Sequence, residues 1–477
     1  MLVFICNEKE TKSCLNRAIL CHAVKRNFGG VSCVDTVSVF NEQVQLPEGH
    51  GEGPDSSPLG LIRANLTNLS RSYHDETRYL LLLTENYAAL NILLRSPDLW
   101  PKQQDIRNIR VIFGSSFPCD QEYSAVCRNI NRIKVCMESG KTIILLNLEN
   151  LYESLYDALN QYYMEMNNQR YVDLGLGTHR MKCRIDKDFK LIVVADKETV
   201  QERFPTPLIN RLEKHFLTMS TVLSKDTDNV RISGHLTEWA KKFSIIDKNQ
   251  FRFKERDCFI GYQSDTPSCI VFHVTQEYQH YTDSDRDADS STILKRCQTL
   301  LLRMATTDAV VRVKNSLLSE KSDELIDEYF KLGLGSLEEY LLKVMDDKCN
   351  NRLRAHLTLM TTHSRIMTDK DVDELKAKLS RNRNNNPVEI TYLSLHQFQT
   401  EQQYSREIQK FLRGRLLITC KKILLVQCER GSDNAKLITC ARLKTLDELK
   451  DWIERDGECQ DEIFIVFLIL LKREAHG

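Results

Sequence analysis

The run Thr142-Ile143-Ile144-Leu145-Leu146 is almost wholly aliphatic, and the polar positions Asn147 and Glu149 follow it closely. A short continuous apolar run of this kind is typical of a strand that is buried on both faces of a parallel sheet. Similar runs alternate with amphipathic segments on both sides of it, and this alternation predicts a parallel α/β sheet. The predicted strands are residues 79–83, 110–113, 142–146 and 191–195, and the predicted helices are residues 87–94, 124–138 and 152–163.

The pattern changes on either side of this unit. Residues 41–61 are rich in Pro, Gly and Ser, which predicts a linker, and residues 7–28 before them have the pattern of an amphipathic helix. Within the unit, residues 170–185 predict a β-hairpin with its turn near 177–179. Residues 292–377 are mostly helical in pattern. The polar run 380–387 predicts a second boundary, after which residues 423–426 and 463–470 predict strands of a new α/β unit.

Composition limits the classes of function. The 477 residues include 66 Lys+Arg and 66 Asp+Glu, so the formal net charge is +0, which disfavours a dedicated nucleic-acid binder. None of the 16 cysteines forms a C-x-x-C pair, which predicts reduced, buried thiols. The apolar run 463–471 is shorter than the roughly 20 residues of a membrane helix, and the N-terminus lacks a signal-peptide core. These features predict a cytoplasmic protein without a transmembrane segment.

The positions that would hold a nucleotide carry the wrong residue types. The P-loop pattern G-x-x-x-x-G-K-[ST] does not occur, and the loop after the first predicted strand offers Glu85 and Asn86 instead of Gly and Lys. A carboxylate at Glu85 would repel a phosphate. After residues 142–146, Asn147 stands where a metal-holding carboxylate is expected, and Glu149 is the only nearby acid. Hydrolysis by this unit is therefore not expected.

The last predicted unit leaves an alternative open. Its loop at residues 428–436 retains one Gly and Lys436, although the spacing differs from that of a P-loop. Residues 431–436 are therefore either a divergent nucleotide-binding loop or a turn that binds nothing.

Several segments resemble a known family. Residues 137–160 resemble the Walker B strand and the following helix of dynein- and midasin-type AAA+ modules. Residues 189–196 stand where such modules carry their sensor strand, and residues 204–215 resemble their Asn-Arg segment, which holds an arginine finger. Together with residues 171–180, these segments resemble the mysterin family of giant AAA+ proteins, which have a RING finger and act as ubiquitin ligases.

The resemblance implies the fold class and the domains. The fold is α/β: an AAA+ P-loop-type parallel sheet with helices on both faces, a helical lid subdomain, and the start of a second degenerate AAA+ unit. Residues 1–40 would be the lid remnant of a preceding AAA+ unit and residues 41–76 a linker. Residues 77–235 would form a degenerate AAA+ α/β subdomain, residues 236–380 its mostly helical lid, and residues 381–477 the start of a further degenerate unit.

The resemblance also implies cofactors and partners. The corresponding units of the family lack a working P-loop, so no cofactor is expected on this segment itself. ATP and magnesium would bind a neighbouring unit, and zinc would bind a distant RING finger. The implied partners are adjacent AAA+ units of the same chain, a ubiquitin-conjugating enzyme and ubiquitin. Nucleic acid is not among them.

Two residues take roles from the resemblance. Arg211 is the implied arginine finger, acting in trans on nucleotide in the preceding unit, and the alternative is a structural pairing with Glu213 or Asp157. Asp196 occupies the sensor position, where a carboxylate would accept rather than donate hydrogen bonds. Three functions remain open: a non-hydrolysing segment of a mysterin-like ubiquitin ligase, an independent nucleotide-binding enzyme, and a plain protein-interaction scaffold.

Overall fold

A computed structural model describes most of the chain and divides it into two compact units. The first unit comprises residues 1–112 and 132–333, and the second comprises residues 113–131 and 334–477. The described residues are 17–29, 37–39, 55, 57–67, 77–85, 87–96, 99–100, 108–121, 123–176, 179–224, 226–245, 253–281, 289–332, 336–346, 355–362, 366–382, 388–414, 421–429, 432–455 and 462–470.

The described residues form twelve strands in three sheets. In chain order they are β1 (Leu80–Thr84), β2 (Ile109–Phe113), β3 (Thr142–Leu146), β4 (Met164–Met166), β5 (Gln169–Leu176), β6 (His179–Ile185), β7 (Lys190–Asp196), β8 (Glu213–Phe216), β9 (Ala355–Thr362), β10 (Val388–Ser394), β11 (Lys421–Glu429) and β12 (Glu462–Leu470).

The first unit is built on a five-stranded sheet in the order β2-β3-β7-β1-β8. The pairs β3·β7, β7·β1 and β1·β8 are parallel, and every residue of β1 and β3 is buried. The four predicted strands are confirmed to within one or two residues at each end. The fifth, β8, was not predicted, because its sequence Glu-Lys-His-Phe is mostly polar although its first three residues are buried.

Helices connect and precede these strands. The predicted helices at 87–94 and 124–138 are confirmed. The predicted helix at 152–163 is wrong, because only four residues there are helical and Gln161 then turns with a φ of 57°. The predicted linker at 41–76 contains a helix with six buried residues. The bounds are Arg17–Phe28, Pro58–Thr67, Ala88–Arg95, Tyr123–Glu138, Tyr156–Leu159, Lys197–Arg203 and Thr206–Arg211.

The predicted hairpin at 170–185 is confirmed as the antiparallel pair β5·β6. Its predicted turn residues 177 and 178 lie outside the described residues. A third strand, β4, pairs with β5 through the two-residue turn Asn167-Asn168, in which both residues have positive φ. Asn tolerates this left-handed conformation, which tight two-residue hairpin turns require.

A helical subdomain with its own core completes the first unit. Its helices are Met219–Leu223, Thr227–Ser244, Glu255–Cys258, Thr266–Tyr281, Ser290–Leu302, Thr307–Arg312 and Ser322–Leu332. The core includes Leu236, Phe243, Phe259 and Leu301, all nearly or fully inaccessible to solvent. Thr227–Ser244 is one continuous helix, so the subdomain begins before the predicted boundary at 235/236.

The second unit repeats the strand order of the first. Its parallel sheet has the order β10-β11-β12-β9, so the first strand in sequence lies beside the fourth, as β1 lies beside β7. Its helices include Leu337–Asp346, Asp369–Asn382, Glu401–Arg413 and Ser432–Arg455. The boundary therefore differs from the predicted 380/381, because β9 precedes that point and Asp369–Asn382 runs across it.

Among the described residues, no helix is both long and apolar enough to cross a membrane. The ten described cysteines form no disulfide bond with one another. Only six of them are buried as predicted, because Cys119 and Cys269 are exposed and Cys21 and Cys127 are half-buried.

Candidate functional site

The predicted nucleotide-site residues meet at one edge of the first sheet. Thr84 is in register with Asp196, and Leu146, the last residue of β3, is in register with Val194 of β7. The residues that follow β1 and β3 and the end of β7 therefore lie at the same carboxyl edge. This edge is where open α/β sheets bind their ligands.

The turn after β1 uses its backbone donors within the protein. The N–H of Ala89 donates to Oγ1 of Thr84 at 2.9 Å, that of Ala88 to the Glu85 carbonyl at 3.1 Å, and that of Leu90 to the Tyr87 carbonyl at 3.0 Å. A P-loop instead directs such N–H groups at phosphate oxygens. Asn86, which was predicted to belong to this degenerate site, lies outside the described residues.

The helical subdomain reaches the same turn. Ser264 donates a hydrogen bond to the carboxylate of Glu85. The next residue, Asp265, accepts hydrogen bonds from the backbone N–H groups of Met219 and Ser220. Glu85 is thus hydrogen-bonded to the helical subdomain. Its negative charge lies where a nucleotide site would need positive groups.

Two tyrosines crowd this edge together with carboxylates. Burial raises the pKa of Tyr87 to about 12, with further contributions from the charges of Glu149 and Asp196. Burial, with the charge of Glu149, also raises the pKa of Tyr152. The negative charges of Glu149 and Asp196, which both act on Tyr87, disfavour an added phosphate at this edge.

Three predicted positions have local structural roles. Asn147 has a φ of 51°, a conformation that Asn adopts readily. Glu149 is exposed and opens the single helical turn Glu149–Leu151. Asp196 caps the helix Lys197–Arg203 by accepting from the N–H of Glu198 at 3.3 Å. Among the described residues, no group of three His, Cys, Asp or Glu side chains could hold a metal ion.

Arg211 is the last residue of the helix Thr206–Arg211, and it rests on an aromatic ring. Its guanidinium carbon lies 4.0 Å from the centroid of the Tyr156 ring, and its Nη2 donates to the Tyr156 hydroxyl at 2.5 Å. No carboxylate in the described part of the chain forms an ion pair with it. The alternative prediction was that Arg211 pairs with Glu213 or Asp157, but both of these carboxylates pair with other residues.

Asp157 and Glu213 each form an ion pair with an arginine other than Arg211. Asp157 lies 3.6 Å from Arg180 of β6. Glu213 accepts from Arg26 at 2.9 Å, from Asn65 at 2.8 Å and from His215 at 3.0 Å. Sequence reasoning missed this buried cluster on β8. Glu213 and His215 lie two residues apart, so they share one face of the strand, which is the only local sign of it.

The alternative nucleotide loop at 431–436 follows the wrong strand. Residues 423–426 are confirmed as a strand, but they lie in β11, the third of the described strands of the second unit in chain order. The strand that corresponds to β1 is β9, and no Gly occurs between it and the helix Asp369–Asn382. Residues 432–436 form the start of the helix Ser432–Arg455.

A parallel sheet in this strand order, joined to a helical subdomain and repeated along the chain, defines AAA+ modules. Residues 68–223 and 344–477 match two family descriptions, each of an RNF213 AAA domain. The chain belongs to the RNF213 AAA family.

Full-length relatives support this assignment. The chain is 38% identical to E3 ubiquitin-protein ligase RNF213 of Mus musculus over 98% of its own length and 9% of the relative's. The human protein of that name is 38% identical over 96% of this chain and 9% of its own length. For E3 ubiquitin-protein ligase rnf213-beta of Danio rerio the identity is 32%, over 95% of this chain and 10% of the relative. The chain thus spans about a tenth of the length of these relatives.

Proposed function

We propose that this chain is a non-hydrolysing AAA+ segment of a ubiquitin-protein ligase that also hydrolyses ATP. The curated relatives are named E3 ubiquitin-protein ligases, which supports the ligase activity of the whole protein. Ubiquitin and a ubiquitin-conjugating enzyme are then its partners, and zinc belongs to a RING finger outside this chain. Adjacent AAA+ modules of the same protein are the direct neighbours of this segment, and the proposed compartment is the cytoplasm.

The observation that carries the proposal is the turn after β1. Its N–H groups at Ala88, Ala89 and Leu90 are bonded within the turn, and its Glu85 carboxylate accepts from Ser264. Nucleotide binding would require breaking these bonds and bringing a phosphate beside a carboxylate. A hydrogen bond between neutral groups contributes roughly 0.5–1.5 kcal/mol, and one to a charged group such as the Glu85 carboxylate contributes roughly 1.5–3 kcal/mol. ATP and magnesium therefore belong to a neighbouring module.

Arg211 supports a second part of the proposal, in which this segment supplies an arginine finger to the preceding module. The residue lies at a helix end and keeps its charge unneutralised by any carboxylate among the described residues. An arginine finger contributes roughly 10³–10⁵ in rate at the site it serves. The segment would thus be silent itself and still contribute to ATP hydrolysis next to it.

Two measurements test these parts separately. Titration of the 477-residue chain with a fluorescent ATP analogue should show no saturable binding, and binding with micromolar affinity would overturn the silent role and favour an independent nucleotide-binding enzyme. In the full-length protein, Arg211→Ala should lower ATP turnover roughly tenfold or more at the affected site. The matched control is Arg203→Ala, because Arg203 is exposed and also ends a helix. Equal turnover in both variants would favour a plain protein-interaction scaffold.

A further inference from the structure

We propose that Tyr156 is the positioning residue for Arg211, holding its guanidinium extended and charged for the nucleotide of the neighbouring module. The inference rests on the proposed finger role of Arg211. Two contacts define the arrangement: the guanidinium stacks on the Tyr156 ring at 4.0 Å, and Nη2 donates to its hydroxyl at 2.5 Å. Arginine combines such stacking with directed hydrogen bonds because its guanidinium is planar.

A tyrosine is a suitable contact residue for an arginine finger. A carboxylate would neutralise the guanidinium and compete with a phosphate for its donors. A phenol leaves the net charge in place and accepts only one of the five N–H donors, so the other four can reach an anion. Tyr156 is 48% exposed, so the pair lies at the surface, where a neighbouring module can approach it.

The segment that contains Tyr156 makes two contacts with β5 and β6. Tyr156 begins the short helix Tyr156–Leu159, whose Asp157 pairs with Arg180 of β6 at 3.6 Å. Just before this helix, the Ser154 carbonyl accepts from the N–H of Gly175 on β5 at 2.9 Å. Tyr156, on which Arg211 stacks, therefore belongs to a segment that is attached to the three-stranded antiparallel sheet.

A second aromatic contact aligns the two segments. Tyr152 packs against Phe204, with ring centroids 5.1 Å apart. Phe204 precedes the helix that ends at Arg211, and Tyr152 precedes the helix that begins at Tyr156. The segments 152–156 and 204–211 therefore touch at both ends, and this restricts where the Arg211 side chain can point. Preorganisation of this kind reduces the entropy that is lost when a charged group meets a transition state.

The test is steady-state ATP hydrolysis by the full-length protein, with kcat and KM measured separately. Tyr156→Leu should lower kcat roughly two- to fivefold, which corresponds to one exposed cation–π contact, and leave KM unchanged. Tyr156→Phe keeps the ring and should lose less. Tyr162→Leu is the matched control, because Tyr162 is a neighbouring tyrosine that is 62% exposed.

A double variant separates positioning from general damage. If Tyr156 acts through Arg211, Tyr156→Leu combined with Arg211→Ala should turn over ATP at the rate of Arg211→Ala alone. A further drop in the double variant, or wild-type kcat in Tyr156→Leu while Arg211→Ala is slow, would overturn the inference and leave the finger intact. Wild-type kcat in Arg211→Ala would remove the finger and the positioning role together.

Discussion

The carboxylate of Asp265 accepts a hydrogen bond from the backbone N–H of Met219 at 2.6 Å and a second from that of Ser220 at 3.1 Å. These N–H groups open the helix Met219–Leu223, directly after the last strand of the first sheet. The neighbouring Ser264 binds Glu85 in the turn after β1. Ser264 thus attaches the helical subdomain to the turn after β1, and Asp265 attaches the first helix of that subdomain to its later residues.

The first prediction concerns this attachment. Asp265→Ala removes the charged acceptor of two N–H groups at a helix start, so the local free energy of opening should fall by about 2–4 kcal/mol. Amide hydrogen exchange at residues 219–223 measures the change in that segment. Asp323→Ala is the control, because its side chain is 90% exposed and its pair with Lys314 is worth little. Equal protection in both variants would contradict the attachment.

The second prediction concerns the turn after β1. Thr84→Val keeps the buried shape but removes the oxygen that accepts from Ala89, and this should destabilise the start of the helix Ala88–Arg95 by about 1 kcal/mol. Thr84→Ser keeps the oxygen and should retain most of the protection. Hydrogen exchange of the Ala89 amide measures both. If the Val and Ser variants exchange alike, the hydroxyl does not hold this turn.

The third prediction concerns the second unit. Asp120 has a side chain only 2% exposed and accepts from Ser115, from Arg128 and from the N–H of Glu401, which opens the helix Glu401–Arg413. Asp120→Ala should destabilise this helix start by about 2–4 kcal/mol, because its three donors lose a buried charged acceptor. Hydrogen exchange at residues 401–405 measures it. Asp373→Ala, an exposed acid on another helix of the same unit, should leave that exchange unchanged.

Much of the first sheet could be predicted from the sequence because its strands are continuous apolar runs. β8 could not, because Glu213, Lys214 and His215 are polar, and a polar strand is buried only when partners satisfy it. Two of the partners of Glu213, Arg26 and Asn65, lie more than 140 residues away in the chain. No local pattern contains that pairing.

The site was predictable by residue type but not by geometry. The lack of a P-loop and the amide at Asn147 are visible in the sequence. The hydrogen bond from Ser264 to Glu85 joins residues that are 179 positions apart in the sequence. The contact between Arg211 and the Tyr156 ring joins residues that are 55 positions apart. The second boundary was misplaced because β9 contains His and Thr among its apolar residues and lies between helices, so its residues resembled the helical segment before them.

The last prediction is a pH dependence that belongs to Glu213. Burial opposes its charge, but hydrogen bonds from His215 and Arg26 and the charge of Arg26 prevail, so its pKa lies below the ordinary value of 4.5. The unfolded chain then binds more protons than the folded one near that value, and stability rises with pH. The contribution is complete above pH 4.5 and is lost as the pH falls through the lowered pKa. Denaturant midpoints measured between pH 7 and pH 3 should therefore fall less steeply in Glu213→Gln than in the wild type. The exposed control Glu202→Gln should keep the wild-type slope, and parallel curves for all three proteins would show that the cluster does not stabilise the folded charge.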